Sequence, residues 1–334
     1  MSDINQTQIL PGNFPVTVMP GKPKGKHGVI AGISAACVVL VLAWQSQRIT
    51  AQSALVTAAR QGNIAQVRDA LASGVSISAR NVAGETPLAV AVASGQGTMT
   101  RFLLDKGANP NDGMNAAART GQAAFVRLLL ERGASGTDTE RGLWLCLAAQ
   151  NRTGDCVRLL LAHGANVNAS NTPDDNMTPL LYAARSGKAG MVGLLLEAGA
   201  NKNAVTSTGR TALMLAASWS EPAACKVLLD AGANINAHDT KGQTALMQAA
   251  VVGNAPTLAY LLARGANRVL RDDAGKTALD HAHAKNDARI AALLQAMSKP
   301  TPPKPTTTVS GAQVSRPGQV RYSPRQARPV PGRR

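Results

Sequence analysis

Apolar residues recur along the middle of the chain in short segments at helical spacing, and each leucine-rich segment ends at a glycine. These glycines are Gly74, Gly107, Gly133, Gly164, Gly199, Gly232 and Gly265. A threonine followed by Pro-Leu or Ala-Leu precedes the other helical segment of a unit at Thr86, Thr178, Thr211, Thr244 and Thr277, and the last four of these are 33 residues apart. Two landmarks that share one period indicate a tandem repeat of helix pairs.

The residue types at the two landmarks explain why helices begin and end there. A threonine side chain can cap the first helix of a unit, and proline or alanine fits its first turn. The alanine pair that follows, as in Ala183-Ala184, lets two helices approach closely. Glycine after the second helix supplies a left-handed exit.

Two segments carry a resemblance to a known family. Thr178-Pro-Leu-Leu-Tyr-Ala-Ala184 and Leu194-Leu-Leu-Glu-Ala-Gly-Ala-Asn-Lys-Asn203 resemble the two characteristic motifs of the ankyrin repeat. The resemblance implies an all-α fold of helix-hairpin repeats with short β-hairpin loops, an ankyrin-type α-solenoid of about eight repeats over residues 51–298. The units begin near residues 51, 84, 110, 141, 176, 209, 242 and 275.

Three departures from the family pattern change the expected details. The histidine of the Thr-Pro-Leu-His motif is replaced by Ala89, Leu181, Met214, Met247 and Asp280, so its usual hydrogen bonds are absent. The glycine spacing falls to 26 between Gly107 and Gly133, which predicts that the third unit has lost its hairpin finger. The last unit lacks the terminal Gly-Ala-Asn and is polar, as expected of a solvated C-terminal cap.

The first part of the chain has a different pattern. Residues 1–27 hold four prolines and no helical period, which predicts a disordered arm. Residues 28–44 carry no charge and are long enough to form a transmembrane helix. The alternative is a signal peptide that is cleaved after this run, which would leave a soluble exported protein. Lys22, Lys24 and Lys26 before the run favour a cytoplasmic N-terminus and a repeat array outside the cytoplasm, in the periplasm if the source is bacterial.

The same apolar run offers one route to weak self-association. Gly28, Gly32 and Ala36 fall on one face of a helix, and small residues at this spacing support contact between membrane helices. The sequence thus predicts two partners: the repeats bind a protein, and residues 28–44 insert into a membrane.

The formal charge of +16 is concentrated in the ends of the chain. Residues 299–334 are rich in proline and hold eight Lys or Arg and no acid, which predicts a disordered basic tail. Residues 49–298 carry only +5. Binding of nucleic acid or another anionic polymer is therefore the alternative function of the tail, with poor base stacking because Tyr322 is its one aromatic residue.

Motifs for catalysis, nucleotide binding and metal binding are absent from the sequence, which predicts a protein that is not an enzyme and needs no cofactor. His281 and His283 point to different faces of a helix, so they are interpreted as surface residues rather than metal ligands. Cys146 and Cys156 fall on the two helices of one unit, where free buried thiols or, in an oxidising compartment, a disulfide are both open.

A stripe on the concave face of the predicted array is the candidate binding site. Counting four residues from each motif threonine, and four more along the same helical face, predicts a set of exposed side chains there. The candidate protein-binding residues are Trp144, Leu147, Tyr182, Leu215, Trp219 and Gln248. The fingers around residues 203–210 and 238–243, which flank this stripe, are predicted to form its polar rim. The alternative for Trp144 and Trp219 is that each covers the end of a helix.

Overall fold

The computed structural model describes residues 35–171, 174–219 and 222–296, and these ranges form eight consecutive pairs of helices. The eight pairs match the number of units predicted from the sequence. The helices are α1 (Ala35–Gln61), α2 (Ile64–Ala72), α3 (Pro87–Ala93), α4 (Gly97–Asp105), α5 (Asn111–Thr120), α6 (Ala123–Glu131), α7 (Asp138–Ala148), α8 (Asp155–Ala162), α9 (Pro179–Arg185), α10 (Ala189–Glu197), α11 (Ala212–Ala216), α12 (Ala223–Asp230), α13 (Ala245–Val252), α14 (Ala255–Ala263), α15 (Ala278–Ala284) and α16 (Ala288–Ala296).

The helices are arranged in two layers. Each odd-numbered helix packs against the next odd-numbered helix, from α1 through to α15, and we call these the inner helices. The even-numbered outer helices pack on their own inner partners and, at α6–α8, α10–α12 and α14–α16, on each other. Alanine pairs such as Ala183 and Ala184 are fully buried between the layers. This arrangement confirms the predicted all-α solenoid.

Threonine caps begin most of the inner helices, as predicted. The hydroxyl oxygens of Thr86, Thr178, Thr211, Thr244 and Thr277 each accept a hydrogen bond from the backbone N–H three residues further on, at 3.3 or 3.4 Å. Ser53, the matching residue of the first unit, lies inside α1 and caps nothing, because α1 runs on from Ala35 to Gln61 without a break. The first inner helix is therefore the C-terminal part of a longer helix.

Hairpin fingers connect most of the pairs, and their turns are held by short polar side chains. Single antiparallel bridges close three of them, at Asn171–Met177, Val205–Thr211 and His238–Thr244. Asn81, Asp239 and Asp272 each accept backbone N–H bonds from the residues two and four further on, at 2.8–3.0 Å. These bonds order the fingers without the histidine that the family pattern places on the helix.

The predicted notch at the third unit is present and is wider than expected. Fourteen residues separate α2 from α3, but only five separate α4 from α5, so the third unit lacks a finger. Only six separate α6 from α7, which removes the finger of the fourth unit as well. There, Thr137 and Glu140 form a reciprocal capping box, so α7 begins at Asp138. The first residues of α7 are therefore helical at positions where other units have a loop.

A row of side-chain bonds joins neighbouring units where the inner helices end, and we call it the ladder. In each case a donor from one unit binds a backbone carbonyl oxygen in or just after the last turn of the preceding inner helix, where the carbonyl groups lack the i+4 N–H partner of the helix interior. The donors and acceptors are Gln96 to Arg60, Gln122 to Val92, Asn151 to Ala118, Lys188 to Gln150, Trp219 to Arg185 and Asn254 to Ala217. Asp287 follows in the last unit and caps α16 instead, since its carboxylate has no proton to donate.

The predicted N-terminal anchor lies only partly within the described residues. Residues 1–27 and 28–34 fall outside them, as does the basic tail 299–334. Residues 35–44 form the beginning of α1, where Leu42 and Trp44 are exposed. Across the ranges that the structure describes, none of the helices combines the length and the apolar character needed to cross a bilayer.

Candidate functional site

The six candidate residues do not form one exposed stripe. Trp144 is 2% exposed and Tyr182 is 3% exposed, so the expectation that both present aromatic surface to a partner is wrong. Leu215 is 5% exposed, and Leu147 and Gln248 are half-buried. Trp219, at 45%, is the one member with a large exposed side chain.

Trp144 is buried because it fills the space beside the short connection into α7. Its ring lies directly over Gly136, where a Cβ atom would collide with it, and Gly136 has a φ of 47°. The indole thus packs on the connection that replaces the missing finger of the fourth unit. Trp144 is therefore a core residue. As in the alternative interpretation, its role is structural, since it covers the connection just before the beginning of α7.

Tyr182 is buried because its hydroxyl group is bound inside the array. The hydroxyl donates to Asp174 Oδ2 and accepts from Asn171 Nδ2 at 3.0 Å. Burial first, and then the bond to the Asp174 carboxylate, raise the pKa of Tyr182 to about 12. Arg185 covers the Tyr182 ring, and its guanidinium carbon lies 4.8 Å from the centre of that ring. Tyr182 therefore positions Arg185 rather than meeting a partner itself.

Trp219 takes part in the ladder and still presents much of its ring to solvent. The indole Nε1–H donates to the Arg185 carbonyl oxygen at 2.7 Å. The ring lies against Gly187, where an added Cβ would be 2.8 Å from Cδ2, and Gly187 also has a φ of 66°. Both facts require glycine at this position. Trp219 thus covers a helix end, as the alternative interpretation has it, and at the same time leaves an aromatic surface exposed in the turn just after α11.

A shallow pocket of about 260 Å³ lies beside Trp219. Its lining residues are Arg185, Arg210, Leu215, Ser218 and Trp219. Leu215 forms the apolar floor, and the two arginines come from the end of α9 and from the finger before α11. The pocket brings together two of the six candidate residues, with Tyr182 next to it through Arg185.

The pocket has an excess of positive charge. Arg185 Nη2 lies 3.7 Å from Asp174 Oδ2, the carboxylate that Tyr182 also binds. Arg210 forms no ion pair with any residue of the described ranges. Lys188 lies one ladder position away, and its pKa is lowered by burial and by the nearby charge of Arg152.

Arg185 and Ser218 were missed from the sequence, whereas Arg210 lies in the finger 203–210 that was predicted as part of the polar rim. Arg185 and Ser218 stand seven residues after the motif threonine, and only the fourth and eighth positions were considered for the stripe. The signal that would have found both is the i, i+3 neighbour of the fourth position, which lies on the same helical face.

Cys146, Cys156 and Cys225 are free and buried. Burial is the largest cause that raises the pKa of the thiols, to about 12 for Cys146 and Cys225 and about 11 for Cys156. Cys146 and Cys156 are therefore unreactive thiols in this structure, not a disulfide.

The two histidines of the last unit have separate environments. His281 Nε2 lies 2.7 Å from the buried carboxylate of Asp272, and His283 is exposed. No group of three or more possible metal ligands occurs among residues 35–171, 174–219 and 222–296. The arrangement ties α15 to the finger that precedes it.

Comparison with known families agrees with the architecture. A family model described as ankyrin repeats (3 copies) matches residues 30–114, 113–171 and 145–239, and one described as ankyrin repeats (many copies) matches residues 228–282. Together the matches span well over half of the chain. No curated protein matches the sequence. From the repeat, the helix pairs and these matches, the chain belongs to the ankyrin repeat family.

Proposed function

We propose that the protein is a binding scaffold that holds a protein partner on the inner face of its array and adds no catalysis of its own. The family supports an interaction role, and the Trp219 pocket is the observation that favours the inner face as its site. Interface energy is commonly concentrated in a few Trp, Tyr and Arg side chains set in a pocket. The pocket combines Trp219 with Arg185 and Arg210 where the inner helices α9 and α11 meet their connections.

The fingers of the sixth and seventh units form the rim of this proposed site. Residues 203–210 and 238–243, which the sequence predicts as a polar rim, lie on either side of the helix that carries Leu215. The concave face of the central units thus remains the proposed site, with its centre moved from the whole stripe to Trp219. Leu147 and Gln248 belong to its periphery, and Trp144 is left out.

Substitution of Trp219 tests the proposal. The full chain and its Trp219→Ala variant are each used to capture crosslinked partners from their own cells, followed by mass spectrometry. Val82→Ala, which removes an exposed apolar side chain on the finger before α3, is the matched control. We expect the main partner to be lost from Trp219→Ala and retained by Val82→Ala. Equal recovery from both variants would exclude the inner face at Trp219.

We further propose that residues 28–44 anchor the protein in a membrane. The uncharged run and the exposed Leu42 and Trp44 at the start of α1 support this. An anchored protein stays in the membrane pellet after alkaline carbonate washing. A mature N-terminus near Ser53, found by N-terminal sequencing, would replace the anchor with a cleaved signal peptide and a soluble exported protein.

The proposed orientation puts the array outside the cytoplasm. Lys22, Lys24 and Lys26 precede the span, and Arg48 and Arg60 are the nearest cations after it. A reporter fused after residue 298 should be active only outside the cytoplasm, and cytoplasmic activity would reverse the orientation. Self-association through Gly28, Gly32 and Ala36 is a separate proposal, to be tested by crosslinking of the anchored protein.

A further inference from the structure

We propose that the Trp219 pocket recognises a carboxylate side chain on the partner, with an apolar side chain beside it in the partner's sequence. The pocket is the one lined by Arg185, Arg210, Leu215, Ser218 and Trp219. This inference rests on the proposed function, because it gives the chemistry of the protein segment that the inner face holds.

The need for an anion comes from the charges already in the pocket. Arg210 has no acidic partner in the described ranges, and Arg185 has one, the carboxylate of Asp174. That carboxylate accepts a hydrogen bond from Tyr182 as well, so its capacity to neutralise Arg185 is divided. A half-buried cation such as Arg210 is stabilised by an anion that it can hydrogen-bond.

The donor geometry favours a carboxylate. A guanidinium presents parallel N–H groups that match the two oxygens of a carboxylate, which a neutral amide cannot reproduce. Ser218, half-buried in the same pocket, adds a hydroxyl group. Arg185 is held in place by the face of the Tyr182 ring, so little of its side-chain freedom is lost on binding.

Trp219 provides the apolar half of the recognition. One side of its ring rests on Gly187 and its Nε1–H is bound to the Arg185 carbonyl oxygen, so the exposed ring surface has a fixed direction. The same hydrogen bond connects the tryptophan to the residue that carries one of the two charges. A carboxylate and an apolar group that are neighbours on the partner can therefore reach Arg210 and Trp219 together.

The size and surroundings of the pocket favour a peptide over other anions. About 260 Å³ is below the volume of most small-molecule sites and fits one or two side chains. A single-stranded nucleic acid is usually held by several aromatic platforms in a basic groove, and this pocket offers one ring. The proposal is therefore an acidic protein segment.

Peptide selection on the full chain tests the inference. A library of random dodecapeptides displayed on phage is selected against the immobilised wild-type protein and against Arg210→Glu, Arg210→Gln and Trp219→Ala. Arg68→Glu is the matched control, since it makes the same charge change on an exposed position of outer helix α2. Circular dichroism melting shows that each variant is folded. A fluorescent single-stranded oligonucleotide serves as a competitor.

We expect wild type and Arg68→Glu to enrich peptides with Asp or Glu next to an apolar residue. Replacing that acid by its amide in a synthetic copy should weaken binding about tenfold, the effect of a charged hydrogen bond. Arg210→Gln should abolish the preference for the acid, and Arg210→Glu should reverse it toward basic peptides.

The outcomes separate this inference from the proposed function. Peptides that require Trp219 but show no acidic preference, or keep it in Arg210→Glu, overturn the inference and leave the inner-face scaffold standing. Failure to enrich any peptide, or peptides that bind Trp219→Ala as well as wild type, overturns both. Displacement of the peptides by the oligonucleotide at equal concentration overturns the inference in favour of a nucleic-acid ligand.

Discussion

Two stretches of the array stack their helix pairs in the same way but differ in the connections between the pairs. Between α4 and α7 the connections between units are five and six residues long, while those between α8 and α15 are full fingers. In the second stretch the finger tips bind each other, from Ser207 N–H to the Asp175 oxygen and from Thr240 N–H to the Thr208 oxygen, both at 3.0 Å. The ladder, in contrast, runs through both stretches. Helix stacking and the ladder are therefore the common support, and fingers are an addition to it.

The comparison also separates two uses of tryptophan. In the stretch without fingers, Trp144 is buried on Gly136 and contributes to the core. In the stretch with fingers, Trp219 is held by the ladder and remains available at the surface, and the finger before it brings Arg210 to the same pocket. The tryptophan of the stretch without fingers, Trp144, is thus a core residue, whereas that of the stretch with fingers, Trp219, is exposed.

Replacement of the two tryptophans should give the largest effect and the clearest contrast. Trp144→Ala leaves a cavity in a fully packed site, and we expect a loss of about 3–5 kcal/mol in the free energy of unfolding. Trp219→Ala removes one hydrogen bond and a partly exposed ring, for a loss of about 1–2 kcal/mol. Urea unfolding followed by circular dichroism measures both. Equal losses would mean that the two residues do not have the different roles described.

Removal of ladder donors compares the stretches at equivalent positions. Asn254 caps α14 through Thr257 N–H and also binds the Ala217 carbonyl oxygen, so Asn254→Ala loses two functions. We expect a loss of about 2 kcal/mol. Gln122 has no capping role for α6, and Gln122→Ala should cost about 1 kcal/mol in the free energy of unfolding. A larger loss for Gln122→Ala would show that the ladder carries more of the stability where fingers are missing.

The repeat was predictable because its signals are local. A capping threonine, a small residue in the first turn and an exit glycine act within one helix or turn, so Thr178, Thr211 and Thr244 could be recognised from their own neighbours. The second missing finger was not, because α7 lengthens as its connection shortens. The glycine spacing from Gly133 to Gly164 falls only to 31, and the change is nearly hidden in the count.

The candidate site was predicted only in part, because spacing gives the direction of a side chain and not its depth. Position four after the threonine does lie on the inner helices, as Leu215 and Tyr182 show. Whether such a residue reaches solvent depends on the side chains that the fingers and neighbouring helices place over it. Tyr182 is covered because Asp174, in the finger before α9, accepts a hydrogen bond from its hydroxyl group. No local sequence rule predicts that these two residues pair.

The threonine caps give an intermediate test of the local rules. Thr244→Ala removes the hydroxyl oxygen that accepts the Met247 N–H, and we expect the free energy of unfolding to fall by about 1 kcal/mol. Thr244→Ser keeps that oxygen and should recover most of the loss. The same pair of substitutions at Thr137, in the stretch without fingers, should behave alike because the capping box uses the same bond. A loss with serine as large as with alanine would point to the methyl group instead.

The smallest expected effect concerns acid and is confined to a finger. Burial of the Asp272 carboxyl favours its neutral form, but hydrogen bonds from the Lys276 and Ala274 N–H groups and from His281 outweigh it, so the pKa of Asp272 is lowered. A carboxyl whose pKa is lower in the folded state stabilises the fold above its unfolded pKa of about 3.8, and this stability is lost as the pH falls through the folded pKa.

Hydrogen exchange between pH 5 and pH 3 would show this effect. After correction for the intrinsic rate, the Ala274 and Lys276 amides should lose protection as the pH falls, while the Ala134 amide, bonded at 2.9 Å to the Leu129 carbonyl in the stretch without fingers, should not. Asp272→Asn keeps an oxygen acceptor but no charge, so its protection should start lower and stay flat over this range. If Asp272→Asn and wild type lose protection in parallel, another group titrates, and the fingers do not owe their order to this carboxylate.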